Sequence, residues 1–538
     1  MLGPIRTPCD DGVIRCAAPA PAAVDRQVQR WVLAATILAS SMVFIDGSVV
    51  GVALPSILAA LDAPVSQGQW IVNAYVLTLG SLMLVGGAAG DRLGRRAVFL
   101  AGIGLFTAAS VCCALAMNSP QLVAARALQG IGGALLVPGS LAIISASFPA
   151  PQRGRAIGTW AGASALTTAL GPVAGGWLVD TLSWRAIFII NVPLAVVALL
   201  LTVRWVPAGR NPAAAGVDLS GGALAVTGLG LLAYGLTAAS SAGWTHPSVV
   251  GAFAGSALLL SGLLWWEARA ASPMLPLALF RSATFSGANV ITLLLYFAVS
   301  GQMFFLPFEL IDTQGYSATS AGAAFLPFSL IVAGLSRWTG GLNERYGARV
   351  LLFAGSLVVA AGLALFAIPV PGGGYWTSVF PAMTLWGVGM ALSIAPLTTT
   401  VMGAAGDQYG GAASGINNAV ARIASMLAVA LLGAVAVGAF GGALDRRLER
   451  LHAVPAIRQA LQPQLQKLAE AQLPAGIDGA MRQQLRRALD DAFVYSFRIT
   501  TLISAAAALL SALCAWLTID RPKAGADMAR RYSMLQKQ

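Results

Sequence analysis

The chain has 538 residues, of which 57% are hydrophobic and 10% charged, with a formal net charge of +12. A soluble globular protein carries about 25% charged residues, so most of this surface must face lipid rather than water. The basic excess is scattered through short gaps between apolar runs and not gathered on one face, which excludes nucleic acid as a partner and reads as membrane orientation.

Residues 1–30 hold several prolines and both signs of charge, with no apolar stretch of the kind a cleavable leader needs; they are expected to form a cytoplasmic tail. The first apolar run begins at Trp31. A crossing helix needs about 20 apolar residues. Candidate spans fall at 31–53, 69–90, 98–117, 121–147, 156–179, 186–205, 220–239, 248–266, 285–308, 320–341, 350–369, 378–402, 415–440 and 497–519. The expected fold is therefore an all-α membrane protein with fourteen crossings.

Loop charge sets the orientation. With the N-terminus inside, the inner gaps carry Arg92, Arg95 and Arg96, then Arg153 and Arg155, Arg204 and Arg210, Arg269 and Arg281, Arg345 and Arg349. The tail at 520–538 adds Arg521, Lys523, Arg530, Arg531 and Lys537. The alternate gaps are nearly free of base, Arg185 excepted, as the positive-inside rule requires. Residues 441–493 break the pattern as a long, Arg-rich outer segment. Leu444, Leu448 and Leu451, then Ile477, Met481, Leu485, Leu489 and Phe493, recur at helical spacing. Two amphipathic helices broken near Pro463 and Pro474 are expected, lying against the outer face or docking a periplasmic adaptor.

An internal repeat divides the chain. Gly87-Ala-Ala-Gly-Asp91-Arg92-Leu-Gly94-Arg95-Arg96 returns as Gly340-Gly-Leu-Asn-Glu344-Arg345-Tyr-Gly347-Ala-Arg349. Both copies fall between two spans on the inner side. Two membrane halves related by a repeat are the usual build of a secondary transporter. The glycines permit a tight turn, and the charges can cap helices or bridge to acids and lipid phosphates.

Charged residues inside apolar runs cost free energy, up to about 3 kcal/mol on insertion scales, and mark function or a specific partner. Asp46 lies in Asp46-Gly-Ser-Val-Val-Gly-Val-Ala-Leu-Pro55 of the first span. An acid held at depth tends toward its neutral form, which makes it a candidate proton carrier. Arg126 and Gln129 lie in Arg126-Ala-Leu-Gln129-Gly-Ile-Gly-Gly133 of the fourth span; a buried Arg requires a partner. The fifth span carries Gly158 and Gly171-Pro172-Val-Ala-Gly175-Gly176, small residues that allow close helix contact with a proline kink. Ser183-Trp184-Arg185-Ala-Ile-Phe188-Ile-Ile-Asn191-Val-Pro193 precedes the sixth, with Trp184 suited to the membrane interface.

In this order the motifs resemble the major facilitator superfamily, and within it the fourteen-helix drug:proton antiporters of EmrB/QacA type, over Trp31 to Ala439. Ser48, Gly51 and Thr167 depart from the family pattern. The resemblance implies two six-helix bundles, 31–205 and 285–519, joined by a 206–284 region with two additional central transmembrane helices. It implies alternating access in a bacterial inner membrane, with both termini cytoplasmic, no cofactor and no enzymatic step. Asp46 and Arg126 would couple protons; Glu309, near the outer end of the ninth span and a departure from the family pattern, is a second candidate acid because it is an acid at the membrane. The Gly87–Phe99 and Gly340–Arg349 loops would latch the inner side of the two bundles. The glycine motif of the fifth span would mark export. Cargo would be small amphipathic or cationic drug-like molecules, or else a dedicated endogenous metabolite; a non-transporting scaffold is the remaining reading. Tyr75, Gln129, Trp386, Asn418 and Arg422 are candidates to line the pocket.

The absences are consistent with this. None of Lys467, Lys523 and Lys537 precedes Ser or Thr, so no P-loop is present. His246 and His452 fall in outer gaps, and none of Cys9, Cys16, Cys112, Cys113 and Cys514 forms a CxxC pair, so no metal site or disulfide framework is expected.

Overall fold

The computed structural model describes residues 26–208, 218–270, 273, 277–368, 374–405, 410–451, 455–471, 473 and 479–520. Among them there are helices and turns and no strand. That is the expected outcome for a chain in lipid, where each backbone N–H and C=O must be satisfied within its own segment.

The first half contains α1 (Arg26–Leu61), α2 (Val65–Leu93), α3 (Arg95–Ala114), α4 (Ser119–Ser147), α5 (Ala150–Thr181), the single turn α6 (Ala186–Ile189) and α7 (Asn191–Trp205). An inserted pair follows, α8 (Leu219–Ala242) and α9 (Pro247–Glu267). The second half contains α10 (Ala283–Phe308) with a π turn at Glu309–Thr313, α11 (Ala318–Ala323), α12 (Leu326–Tyr346), α13 (Ala348–Ala367), α14 (Tyr375–Ala405), α15 (Gly410–Arg450), α16 (Pro455–Leu461) with a 3-10 segment at Gln462–Glu470, and α17 (Gly479–Thr518).

Local chemistry sets the boundaries. Asn118 caps α4 by accepting from the Gln121 N–H at 3.0 Å, and Asp218 caps α8 by accepting from Gly221 at 2.8 Å. The two repeat copies turn at Gly94 and Gly347, with φ of 109° and 80°, a region that L side chains rarely adopt. Gly87, in contrast, lies within α2, so Gly94 alone makes that turn.

Twelve helices among the described residues are long and apolar enough to cross a membrane, against fourteen expected. α2 and α5 are helices of 29 and 32 residues at the two remaining positions, 69–90 and 156–179. α5 falls short in hydropathy because Gly, Ser and Thr replace larger apolar side chains along it. α8 packs on α9, α2 and α15, so the pair sits against the seam where the halves meet. Large apolar residues such as Leu258, Leu264 and Trp265 are exposed on α9, as suits a helix surrounded by lipid.

The 441–493 segment also differs from expectation. It is not a separate hairpin: α15 runs on to Arg450 and α17 starts at Gly479, so both membrane helices continue past the bilayer. Each has about 40 residues and is about 60 Å long, roughly twice a 30 Å hydrocarbon core. Leu444 and Leu448 on α15 and Leu485, Leu489 and Phe493 on α17 are buried in one apolar cluster, which explains their spacing. Ile477 and Pro474 lie outside the described residues, and Pro463 falls in the 3-10 segment. That segment folds back as a cap: Leu461 and Leu468 are buried, and Lys467 forms an ion pair with Asp62 in the α1–α2 turn of the other half. Asp62 is 80% exposed, so Lys467→Gln should lower stability by at most about 1 kcal/mol. Leu468→Asp is expected to cost about 2–4 kcal/mol by burying a charge in the cap's apolar base. Thermal unfolding in detergent compares the two.

Candidate functional site

The stripe Val43, Phe44, Gly47, Ser48, Gly51 on α1 has helical spacing and faces a cavity between the halves. Asp46 projects from another face of α1, into the first half. There it meets Arg126 of α4, whose Nη1 donates to Asp46 Oδ2. The same Nη1 donates to Gln129 Oε1 at 2.6 Å, and Nε donates to the Ile71 carbonyl at 3.1 Å. Gln129 Nε2 donates to Asp46 Oδ1 at 2.8 Å and to Ser110 Oγ at 2.9 Å. Ser110, on α3, also accepts from Asn191 Nδ2 of α7 at 3.3 Å. The Tyr75 ring lies 4.1 Å from the guanidinium carbon, and its hydroxyl donates to the Val43 carbonyl at 3.1 Å.

Asp46 and Arg126 are each 1% exposed. A buried charge is tolerated only when paired and hydrogen-bonded, and here both carboxylate oxygens have donors. The surrounding glycines make the approach possible. A Cβ at Gly130 would sit 2.1 Å from Thr78 Oγ1 and 2.4 Å from the Tyr75 carbonyl, so only Gly lets α4 lie this close to α2. The assembly links α1, α3, α4 and α7 and can change its pairing if a proton reaches Asp46.

The cavity has a volume of about 230 Å³. Phe44 and Ser48 of α1, Pro172 of α5, Met303 of α10, Phe328 of α12 and Arg422 of α15 line it. The predicted pocket residues divide. Arg422 is in the wall. Tyr75 and Gln129 belong instead to the Asp46–Arg126 network and are fully buried. Trp386 is packed in the second half, its ring 4.5 Å from that of Phe328. Asn418 is exposed on α15 and is not among the lining residues.

Glu309, the second candidate acid, lies at the C-terminal end of the ninth span, as its place in the sequence predicts. It begins the π turn after α10 and accepts from Gln314 Nε2 at 3.3 Å. Its surroundings are α17 and the cap, with Arg498 and Asp490 as charged neighbours. The extra residue per turn in a π segment rotates the side chains that follow, a shift that periodicity in the sequence cannot reveal.

Several contacts of the basic loops lie within one half. Arg95 donates to the Ala142 carbonyl at 3.4 Å and Arg96 to that of Val203 at 2.6 Å, both in the first half. Arg349 lies over the Trp516 ring and Arg345 over that of Tyr346, both in the second. Arg92 is exposed. The side chains of Asp91 and Glu344, and the surroundings of Gly158 and Gly340, lie outside the described residues.

The glycine motif of α5 has two partners. Cβ atoms at Gly171 and Gly175 would meet Ser48 and Val49 of α1 at 1.9 and 3.0 Å. A Cβ at Gly176 would lie 2.2 Å from the Ala318 carbonyl oxygen of α11, and one at Gly322 would lie 2.1 Å from that of Pro172. The motif thus packs α5 on Asp46's helix and on the opposite half. This crossing closes the end of the molecule that carries the α1–α2 turn.

Asp180, just beyond the predicted span, reinforces the closure. It accepts from the backbone N–H groups of Thr319 at 2.7 Å and Ala318 at 3.2 Å, and from the Thr319 hydroxyl. Partial burial raises its pKa, but these hydrogen bonds outweigh it and hold the carboxyl below its ordinary value. A lowered carboxylate pKa means that the contact is complete above the ordinary value and lost as pH falls through the lowered one. In a cysteine-free background, labelling of Val52→Cys from the α1–α2 side should be slow at neutral pH, where the contact is complete. Asp180→Asn should raise it several-fold at neutral pH.

Residues 36–429 match the sequence pattern of the Major Facilitator Superfamily. The chain is 32% identical over 515 residues to multidrug resistance protein Stp of Mycobacterium tuberculosis, covering 94% of this chain and 95% of that protein. It is 30% identical to the tetracenomycin C resistance and export protein of Streptomyces glaucescens, covering 89% of each. It is 35% identical to the methylenomycin A resistance protein of Bacillus subtilis, covering 73% of this chain and 84% of the relative. A bacterial homolog of the human lysosomal transporter Spinster, solved in an inward-facing and occupied conformation, shares the fold with a TM-score of 0.64 at 18% identity, covering 92% of this chain and 97% of that one. The repeat, the two helical halves around one cavity and the extent of these matches lead to one conclusion: the chain belongs to the Major Facilitator Superfamily.

Proposed function

We propose that the protein is a proton-driven exporter of small amphipathic molecules in a bacterial inner membrane. In this reading α2 and α5 also cross, giving fourteen spans, both termini are cytoplasmic, and no catalytic step is involved. The observation that carries the proposal is the placement of Asp46. Its carboxylate is paired with Arg126 at the back of α1, while the front of the same helix forms a wall of the cavity. Protonation of Asp46 removes the ion pair, and any movement of α1 that follows is felt directly by cargo. The export direction is supported by relatives named for resistance and export. Several of them are named for a single antibiotic, which supports a narrower cargo range as the second reading.

The α1–α2 end is closed here. The cycle then runs by loading from the α2–α3 end, opening of the α5–α11 crossing, proton entry to Asp46 from outside and release of cargo. The test is proton flux in liposomes holding the purified protein, with lipophilic cations, anions and neutral compounds added in turn. Substrate-dependent proton movement in the opposite direction to cargo is the expected result. Cargo movement with no proton movement would overturn the coupling; no movement of any compound would overturn the broad cargo range.

A further inference from the structure

We infer that the cavity selects small aromatic or amphipathic anions, such as carboxylates and phenolates, and that Arg422 is the group that recognises them. This deepens the exporter reading and depends on it only for the direction of movement.

Apart from Arg422, the wall is apolar side chains, glycines and the hydroxyl-bearing Ser48, Thr168 and Ser329. No acid lines the cavity among the described residues. Arg422 also lines the adjoining cleft formed with Leu77, Leu229 and Met426. No ion pair or hydrogen bond engages its guanidinium among the described residues, whereas Arg126 has Asp46, Gln129 and Ile71.

Its stem is also held. A Cβ at Gly80 of α2 would lie 2.7 Å from Arg422 Cβ, so α2 packs directly on the arginine's base. A charge in the membrane interior that faces a water-accessible cavity, without a counter-charge, marks a ligand path. In such surroundings the guanidinium favours an anion and opposes a cation. Phe44, Phe325 and Phe328 supply apolar surface for the rest of the molecule. The resemblance alone implies amphipathic or cationic cargo, whereas the charge in the wall is itself positive.

The test uses two probes of similar shape and opposite charge, 1-naphthoate and 1-naphthylmethylammonium. Binding to the full-length protein is measured by calorimetry in nanodiscs of uncharged lipid. The anion should bind at least tenfold more tightly than the cation. Arg422→Gln should remove that preference, and Arg422→Lys should keep most of it. Equal or tighter binding of the cation, no binding of either probe, or a preference that survives in Arg422→Gln would each overturn the assignment. Arg422→Gln retains the Cβ and Cγ packed on Gly80, and the Lys variant separates loss of charge from loss of folding. Because binding is read without flux, failure here leaves the export proposal standing. Anion preference with inward-only movement in vesicles would overturn export and leave this assignment intact.

Discussion

Asp46→Asn is expected to reduce substrate-driven proton flux to the level of empty liposomes. Asn keeps the size and the hydrogen bond from Gln129 but cannot carry a proton, and it leaves Arg126 as a buried charge without its counter-ion. Breaking one side of a buried pair costs about 3–5 kcal/mol, so the variant should also unfold at a lower temperature. The double variant Asp46→Asn/Arg126→Gln separates the two effects, because it removes both charges. Its stability should recover by about 1–3 kcal/mol relative to the single variant, while its proton flux stays at background. Flux that returns with stability would show that Asp46 serves the fold and that protons travel elsewhere.

The α5–α11 crossing should be nearly as sensitive. Gly176→Val and Gly322→Val each place a side chain against a backbone carbonyl of the opposite half, at 2.2 and 2.1 Å from the first added carbon. Backbone cannot rotate away as a side chain would. The α1–α2 end can no longer close at a cost below about 1–3 kcal/mol, which shifts the closed population by roughly 5- to 150-fold. Labelling of Val52→Cys from that side should rise accordingly, and net transport should fall at least about tenfold, since alternating access needs both closures. Gly104→Ala on α3 is the control, because nothing lies within 4 Å of its added carbon. An unaltered labelling rate in Gly176→Val would mean that the halves separate by another route.

The fold was legible because lipid imposes a simple rule: long apolar runs become helices, and loop arginines record their alternation. The chemistry was legible only in part. Asp46 and Arg126 stand out as charges in apolar runs, and their need for partners pointed to each other's surroundings. Gln129 was placed in the pocket, although its i+3 spacing from Arg126 puts both on one helix face; that spacing was the available signal for the network. Ser110 escaped notice, and Asn191 was noted only as part of the motif before the sixth span, because a small neutral residue in an apolar helix looks like ordinary packing. Trp386 was misplaced for a different reason. Sequence reports depth along a helix but not its rotation. The continuity of α15 and α17 into the cap was hidden because their extensions are amphipathic and charged while their membrane portions are apolar, so one helix reads as two.

The position of α8 makes the two sides of the molecule unequal. It covers the α2–α15 seam, with Leu229 against the cleft behind Arg422 and its Gly222 and Gly230 close to Val85 and Leu77. Among the described residues, neither α8 nor α9 packs extensively on the other seam, between α5 and α11–α12. One seam between the halves is therefore screened from lipid by an added helix, while the other is held only by its own glycine crossing.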